Sequence, residues 1–277
     1  MSKIQIKTES QILKMRAAGL VVAAGLDAMC AAVTPGITTA EIDAIGRDVL
    51  TANGAKSNFL NYGTQWGITP FPGVACVSPN EVVVHGMPGA RALHEGDIVS
   101  IDFGAIVDGW HGDAARTVAV GTTTPEAESL IEVTRTSLWA GVAAMWTGAQ
   151  VSDIGHEIEQ FIKTQGRYGI VRDATGHGIG SRMHMDPDVP NYGHPGRGPK
   201  LVPGMTLAVE PMVTLGTWRT AELDDDWTMV TTDSSWAAHW ENTIAICKDG
   251  LWVLTEPDGG AAELARLDVP LASLATR

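Results

Sequence analysis

One order of predicted elements occurs twice along this chain, and it limits the possible folds more than any other feature. Residues 96–102 read Gly-Asp-Ile-Val-Ser-Ile-Asp, and residues 204–210 read Gly-Met-Thr-Leu-Ala-Val-Glu. Both segments place a carboxylate, Asp102 or Glu210, six residues after a turn glycine and at the end of an apolar strand. Two predicted helices precede each segment. The repeat therefore predicts two similar halves that pack face to face.

Four helices are marked by capping signals. Thr8 and Gln11 form a capping-box pattern before an apolar-periodic stretch, and Thr38 and Glu41 repeat it. Thr124-Pro125 supplies an N-cap followed by a proline at the first helical position. Ser152-Asp153 opens the fourth helix. The predicted ranges are 9–33, 38–52, 125–146 and 152–165, with Gly54 and Gly166 as stops.

Strands are predicted between the helices. Residues 98–103 and 110–120 flank Asp108-Gly109, which is a strong signal for a two-residue hairpin turn. Residues 205–213 and 243–247 are further apolar strand candidates. Helix pairs followed by groups of strands predict an α+β fold with antiparallel sheet. We expect one catalytic domain over residues 1–277.

Composition excludes several classes of protein. A net charge of −13 would repel nucleic acid and anionic membranes, so neither is an expected partner. No uninterrupted run of 18 apolar residues predicts a membrane span, and residues 1–5 lack the apolar core of a secretion signal. The three cysteines, Cys30, Cys76 and Cys247, form no CxxC pattern, which favours small buried residues in a reducing cytosol.

Two acids lie on the arms of the predicted hairpin. With Asp108-Gly109 as the turn, Gly104 faces Asp113, so Asp102 is a diagonal neighbour of Asp113 on the same face. Two acids on an apolar hairpin repel each other and lose solvation unless a cation joins them. The alternative is that both are partly exposed at strand ends.

Two more acids and a histidine stand in apolar or glycine-rich settings. Glu210 and Glu241 interrupt apolar runs, and His177 lies within Gly176-His177-Gly178-Ile179-Gly180. A single buried acid could pair with an arginine, but four acids and one imidazole are better explained by metal. An oxygen-rich set without thiolate suits Mn, Fe(II), Co or Zn, and four carboxylates neutralise two divalent ions. Two such ions can activate a bridging water.

Five segments together resemble the type I methionine aminopeptidases of bacterial style. The resemblance implies the pita-bread fold, cytoplasmic location, a monomer, and removal of the initiator methionine from nascent chains or peptides when the second residue is small. It also implies attack by a hydroxide that bridges two metal ions. The segments are residues 80–89, 101–113, 176–180, 203–212 and 240–244.

The resemblance implies roles for individual residues. Asp102 would bind one metal ion, Asp113 and Glu241 would bridge both ions, and His177 and Glu210 would complete the second. Glu210 would also shuttle the proton.

The substrate would meet a second group of residues. His184 would hydrogen-bond near the scissile carbonyl, and His85 would contact the substrate backbone and assist the leaving group. The methionine pocket would be lined by Tyr62, Phe71, Cys76 and Trp227.

The chain departs from the family pattern in three places. The segment 61–72 is several residues longer than usual, lacks the usual histidine and contains Trp66. Asn242 replaces a usual histidine, and Met183 replaces a larger aromatic residue. These changes suggest a diverged paralogue with altered specificity for the first substrate residue.

Two other functions are compatible with the same fold. A proline peptidase, of the prolidase or aminopeptidase P type, would usually carry an additional N-terminal domain. A non-enzymatic binding protein would usually have lost ligands, and all five are present. The remaining residues are assigned to the surface, to packing or to the support of ligands: His94, His111, His156, His194, His239, Trp139 and Trp146.

Overall fold

The computed structural model describes residues 4–276, so residues 1–3 of the stretch tested for a secretion signal lie outside the described residues. Five α-helices are present in the described chain: α1 Glu9–Ala32, α2 Thr39–Ala52, α3 Pro125–Ala143, α4 Val151–Gln165 and α5 Ala261–Arg266. Short 3-10 helices cover Thr64–Trp66 and Ser273–Thr276. The strands are β1 Lys56–Ser57, β2 Ala75–Pro79, β3 Val82–Val84, β4 Ile98–Val107, β5 Trp110–Ala119, β6 Gly169–Ile170, β7 Gly176–Gly178, β8 Met185–Val189, β9 Thr206–Val209, β10 Met212–Thr214, β11 Thr220–Glu222, β12 Met229–Thr231, β13 Ala237–His239, β14 Asn242–Ile246 and β15 Leu251–Val253.

The first two helices begin where the capping patterns predict. Thr8 and Gln11 form a reciprocal capping box at α1, and Thr38 and Glu41 form one at α2. Thr124 caps α3, with Pro125 at its first position as expected.

The predicted end of α3 and the predicted start of α4 were wrong, whereas the predicted ranges of α1 and α2 differ from the observed ones only by the cap residues Val33 and Thr38. Helix α3 ends at Ala143, three residues before the predicted end. Trp146 therefore lies outside the helix with 62% of its surface exposed, and it does not pack in the core as expected. Helix α4 begins at Val151, because the backbone N–H of Gln150 donates to Oδ2 of Asp153 at 2.7 Å and makes Gln150 the N-cap.

The long hairpin β4–β5 has the predicted turn and register. Asp108 and Gly109 adopt φ values of +50° and +78°, which this type of two-residue turn requires. Gly104 pairs with Asp113, so Asp102 lies on the same face as Asp113. The two-residue turn thus makes the two acids diagonal neighbours on one face of the hairpin.

The architecture consists of two helix-covered antiparallel sheets, as the repeat predicted. The first sheet has the order β1-β4-β2 with β5 paired to β4, and α1 and α2 pack on it. The second has the order β15-β14-β9-β7-β8, and residues of α3 and α4 share a hydrophobic core with it. Two three-stranded sheets, β13-β10-β6 and β11-β12-β3, complete the fold.

Pro211 divides the predicted strand 205–213 into β9 and β10. Proline has no N–H for a sheet ladder and restricts the residue before it, which here is Glu210. The two parts consequently join different sheets. Glu210 lies at the break and belongs to neither strand.

Helix α1 contains both charged and apolar residues and packs against β4, β5 and α2. It is long and apolar enough to span a membrane by length and composition, but 50% of its apolar window is buried inside the protein. Its charged residues interrupt the apolar run, so the rule applied to the sequence did not detect it. Gly25 allows this close packing, because a Cβ there would lie 2.2 Å from Cε1 of Phe103.

Candidate metal centre and substrate cavity

All eleven residues that the sequence selected for a site line one cavity of about 220 Å³ between the two halves. Their separate roles remain predictions. Phe59, Trp66 and Met183 complete the lining. Phe59 was missed, because its place beside the cavity depends on the path of the following loop. The eleven are Tyr62, Phe71, Cys76, His85, Asp102, Asp113, His177, His184, Glu210, Trp227 and Glu241.

Asp113 and Glu241 are brought together by backbone contacts between the halves. Ala115 on β5 and Glu241 exchange two backbone hydrogen bonds, of 3.0 and 3.3 Å. The hydroxyl of Thr243 accepts from the Asp113 N–H at 3.1 Å and donates to the Asp113 carbonyl oxygen at 2.8 Å. The two acids, each at most 3% exposed, are thus fixed relative to each other by main-chain geometry.

His177 and Glu210 come from neighbouring strands of the second sheet. His177 on β7 pairs with Ala208 on β9, two residues before Glu210. Nε2 of His177 lies 3.5 Å from Oε1 of Glu210, while its Nδ1 lies 3.0 Å from the carbonyl oxygen of Gly178. If Nδ1 carries the proton and donates to that carbonyl, Nε2 is left as a free metal ligand. Asn191 supports Glu210 by donating to its carbonyl oxygen at 3.0 Å.

Two groups of potential ligands share Glu241. Asp113, His177 and Glu241 offer ligand atoms within 4.8 Å of one another, and so do Glu210, His239 and Glu241. Asp102 belongs to neither group but lines the same cavity. This arrangement contains enough oxygen and nitrogen donors for two ions.

His239 is part of the site, although it was expected only among the surface and supporting histidines. It is 2% exposed, and its Nε2 lies 3.5 Å from Oε2 of Glu210. The pairing of His239 with Met212, two residues after Glu210, brings the two side chains together. A sequence signal was available, because His239 precedes Glu241 by two residues and alternation along an extended chain places both on one side. Of the others, His94 and His194 are exposed as expected.

The pKa values of the ionisable groups at this centre are shifted toward their neutral forms. Burial raises the pKa of Asp102 to about 7 and that of Glu210 to about 8. Burial and the neighbouring acids raise the pKa values of Asp113 and Glu241 well above the ordinary range. Burial lowers the pKa of His177 to about 3 and that of His239 to about 4, so both imidazoles are neutral at neutral pH.

The hydrogen-bond inventory fits a metal ion. Six buried side-chain polar atoms within residues 4–276 have no hydrogen-bond partner, and four of them are at this centre. They belong to Asp102, Asp113, His239 and Glu241. Buried polar atoms are normally satisfied, so four unpaired atoms at one centre indicate a bound cation. The donor set of carboxylate and imidazole suits first-row divalent metals.

An apolar pocket adjoins the acids. Its buried core consists of Phe59, Phe71, Cys76, Met183 and Trp227. Phe71 meets Trp227 edge to face, with ring centroids 5.5 Å apart. Aromatic edges and sulfur atoms favour a long, polarizable apolar side chain such as that of methionine.

Two histidines flank the route between the pocket and the acids. His85 follows β3 with a φ of +58°, and its ring meets Trp227 edge to face at 6.0 Å. His184 lies with its ring 4.4 Å from that of His177, and its Nδ1 is 2.7 Å from the hydroxyl of Tyr62. Both can therefore contact a substrate whose first side chain occupies the pocket.

One of the three departures from the family pattern does not reach the cavity. Asn242 is completely buried on the far side of the strand, where its Oδ1 accepts from Nη2 of Arg116 at 2.9 Å and from the hydroxyl of Thr255 at 2.7 Å. Asn242 contributes no surface to the cavity, because it alternates with inward-facing Glu241. Met183 and Trp66 do line the cavity.

Comparison with known proteins identifies the family. The profile of metallopeptidase family M24 matches residues 13–248. The chain belongs to this family. It is 49% identical to a methionine aminopeptidase of Clostridium acetobutylicum over 253 residues, covering 91% of this chain and 98% of the relative. Methionine aminopeptidase 1 of Mycobacterium tuberculosis is 48% identical over 255 residues, covering 90% of this chain and 94% of the relative.

Solved structures confirm the pita-bread fold and the resemblance seen in the sequence. The methionine aminopeptidase of Thermotoga maritima superposes with a TM-score of 0.88 at 40% identity, covering 92% of this chain and 100% of that structure. The prolidase of Pyrococcus furiosus shares the fold with a TM-score of 0.71 at 21% identity. The superposition includes 91% of this chain but only 65% of the prolidase, so about a third of the prolidase has no counterpart here.

Proposed function

We propose that this M24 metallopeptidase is a methionine aminopeptidase. It removes an N-terminal methionine from peptides or nascent chains whose second residue is small. The observation that carries this proposal is the direct connection between the acid-rich centre and the apolar pocket within one cavity. A pocket of this size holds one long apolar side chain and places the following peptide bond beside the acids.

Five residues would hold two divalent ions: Asp102, Asp113, His177, Glu210 and Glu241. His239 is an additional donor to the same centre. When bound, the ions would activate water as a nucleophile and polarise the scissile carbonyl. Co, Mn, Fe(II) and Zn all suit the donor set, and availability in the cell selects among them.

The protein residues would do the remaining work. Glu210 lies between His177 and His239 at 3.5 Å from each, so its carboxylate is held where it can accept and return a proton. His184 would donate a hydrogen bond to the carbonyl oxygen as negative charge develops there. His85, held against Trp227, would contact the substrate backbone and assist the leaving amine.

The buried wall of the cavity explains selection for methionine. Phe71, Cys76 and Met183 close the pocket with apolar and sulfur-containing surfaces. A charged side chain would lose its hydration there without gaining a partner, which opposes peptides that begin with Lys or Asp. The acids on the other side would attract the protonated α-amino group. We further propose that the chain acts as a single-domain monomer in the cytosol.

The test is release of free amino acids from four tripeptides by protein loaded with Mn, Co, Fe(II) or Zn. We expect release of Met from Met-Ala-Ser, much slower release from Met-Lys-Ser and Leu-Ala-Ser, and none from Ala-Pro-Ser. Asp113→Asn should abolish activity, while Asp108→Asn in the exposed hairpin turn should not. Faster release from Ala-Pro-Ser than from Met-Ala-Ser would replace the proposal with a proline peptidase. Bound metal without any release would indicate a different substrate.

A further inference from the structure

The segment 59–71 forms a closed loop with fixed ends. The N–H of Asn61 donates to the carbonyl oxygen of Phe71 at 2.9 Å, and the N–H of Phe71 donates to the carbonyl oxygen of Tyr62 at 3.0 Å. The indole N–H of Trp227 donates to the carbonyl oxygen of Thr69 at 2.6 Å. Tyr62 therefore has a backbone held from both sides, although it lies in the extended segment that departs from the family pattern.

The hydroxyl of Tyr62 ends 2.7 Å from Nδ1 of His184, a residue 122 positions away. The phenol ring is packed edge to face against His184 at 5.5 Å and against Trp66 at 5.0 Å. Trp227 contacts a third side at 6.2 Å. The hydroxyl thus meets the imidazole because the ring is confined, and not as one position of a freely rotating side chain.

The protein partners of the two side chains favour donation by the Tyr62 hydroxyl. Within residues 4–276, His184 is the one hydrogen-bond partner of the Tyr62 hydroxyl. If Nδ1 carried the proton, the tyrosine oxygen would accept it and its own proton would have no protein partner. If Tyr62 donates, its proton is satisfied, and the imidazole proton must be on Nε2.

We propose that Tyr62 is a positioning residue that holds His184 in the tautomer with its proton on Nε2. This inference rests on the proposed function, because it concerns the group that would meet the scissile carbonyl. Since Nδ1 is occupied by Tyr62, Nε2–H is the donor that remains for the substrate. His184 lies against His177, one of the proposed ligands, so that donor is beside the reacting bond.

The first test needs no variant. Zinc-loaded protein labelled with 15N-histidine is studied by NMR at neutral pH, and the His184 signals are assigned by their loss in His184→Gln. We expect a protonated Nε2 and an unprotonated Nδ1 that accepts a hydrogen bond. A proton on Nδ1 of His184 would overturn the proposal, whatever the activity of the protein.

The second test removes the hydroxyl alone. Tyr62→Phe keeps the aromatic packing, and Tyr168→Phe is the matched control because Tyr168 packs at the edge of the helix-covered core, away from the cavity. For Met-Ala-Ser we expect kcat to fall about tenfold or more in Tyr62→Phe, with KM within about twofold, because losing an orienting partner typically costs 10–100-fold. The His184 tautomer signals should change in the same variant, and Tyr168→Phe should change neither property.

The outcomes separate a positioning role from simple lining of the pocket. A raised KM with unchanged kcat, or an unchanged His184 tautomer with unchanged kcat, would reject the proposal. Thermal unfolding of each variant establishes that the fold is intact, and the wild-type tautomer still decides the question if Tyr62→Phe does not fold. If wild-type protein releases no methionine, the proposed function fails, whereas the NMR result stands independently.

Discussion

Thr243 holds both backbone groups of Asp113 across the junction between the two halves. Its hydroxyl donates to the carbonyl oxygen at 2.8 Å and accepts from the N–H at 3.1 Å. Thr243 lies two residues after Glu241, on strand β14. This side chain and the backbone hydrogen bonds between Ala115 and Glu241 together fix the distance between two proposed ligands from opposite halves. The backbone of this junction is held by neutral hydrogen bonds.

Thr243→Val should weaken both folding and metal binding. Valine preserves the shape but leaves a buried N–H and a buried carbonyl of Asp113 unpaired, which should lower the free energy of unfolding by about 1–3 kcal/mol. Metal titration followed by calorimetry should show weaker binding by about tenfold. Thr51→Val, on the exposed face of α2, is the control and should leave both quantities nearly unchanged. Unaltered metal affinity in Thr243→Val would contradict this account.

The parts of the site that the sequence could predict depend on local rules. The Asp108-Gly109 turn fixes the hairpin register, and the register places Asp102 diagonal to Asp113. Glu210 and Glu241 were recognised because acids within apolar runs need partners. Capping patterns also predicted the starts of α1, α2 and α3, because a helix cap is formed by residues within a few positions of one another.

The parts that were not predicted depend on contacts between distant segments or on local signals that a neighbouring pattern outweighs. His239 reaches Glu210 only because β10 and β13 pair, and nothing near residue 239 reveals that pairing. The continuous apolar run of residues 205–213 predicts one strand, although Pro211 marks the break between β9 and β10. Comparison with the family places Asn242 near the pocket, whereas alternation after Glu241 turns it toward Arg116.

Asp113→Asn should stabilise the metal-free protein while removing its activity. Asp113 is 3% exposed, and burial with the neighbouring acids raises its pKa well above the ordinary range, so folding at neutral pH must protonate it. An amide is neutral in both states and avoids this cost, which should raise the free energy of unfolding by about 1–2 kcal/mol. Loss of a proposed metal ligand should reduce methionine release by more than about 100-fold, since loss of the partners that orient a ligand alone costs about 10–100-fold. Asp108→Asn is the control in the same hairpin. Lower stability of metal-free Asp113→Asn would show that the acid is paired within the protein.

The stability of metal-free protein should fall as pH rises from about 6.5 to about 8. Unfolded carboxyl groups are already ionised there, whereas burial raises the folded-state pKa values of Asp102 and Glu210 to about 7 and about 8. The stability that protonation gives these groups therefore declines from the unfolded pKa, about 4, and is completely lost once the pH passes the folded values. The lowered pKa values of His177 and His239 act in the opposite direction, but only below about 6.5, where unfolded histidine becomes charged.

Thermal unfolding after treatment with EDTA, at steps of pH, measures this effect. Added Zn or Mn should raise the unfolding temperature more at the upper end of the window, because the ion favours the ionised carboxylates. Glu210→Gln should make the metal-free slope shallower. A metal-free unfolding temperature that is constant or increases across the window would show that the acids are not destabilising when ionised.

Removing Trp66 should change substrate binding and not folding. Trp66 is 59% exposed, lines the cavity and meets Tyr62 edge to face, so Trp66→Ala loses little buried area but opens one wall of the site. We expect KM for Met-Ala-Ser to rise roughly 3- to 10-fold, because a lost apolar contact in a pocket is worth about 1–3 kcal/mol when fully buried and less here. Trp146→Ala is the matched control, since Trp146 is 62% exposed and lies away from the cavity. Equal kinetic constants in the two variants would show that Trp66 does not contact the substrate and that the extended segment does not alter specificity through it.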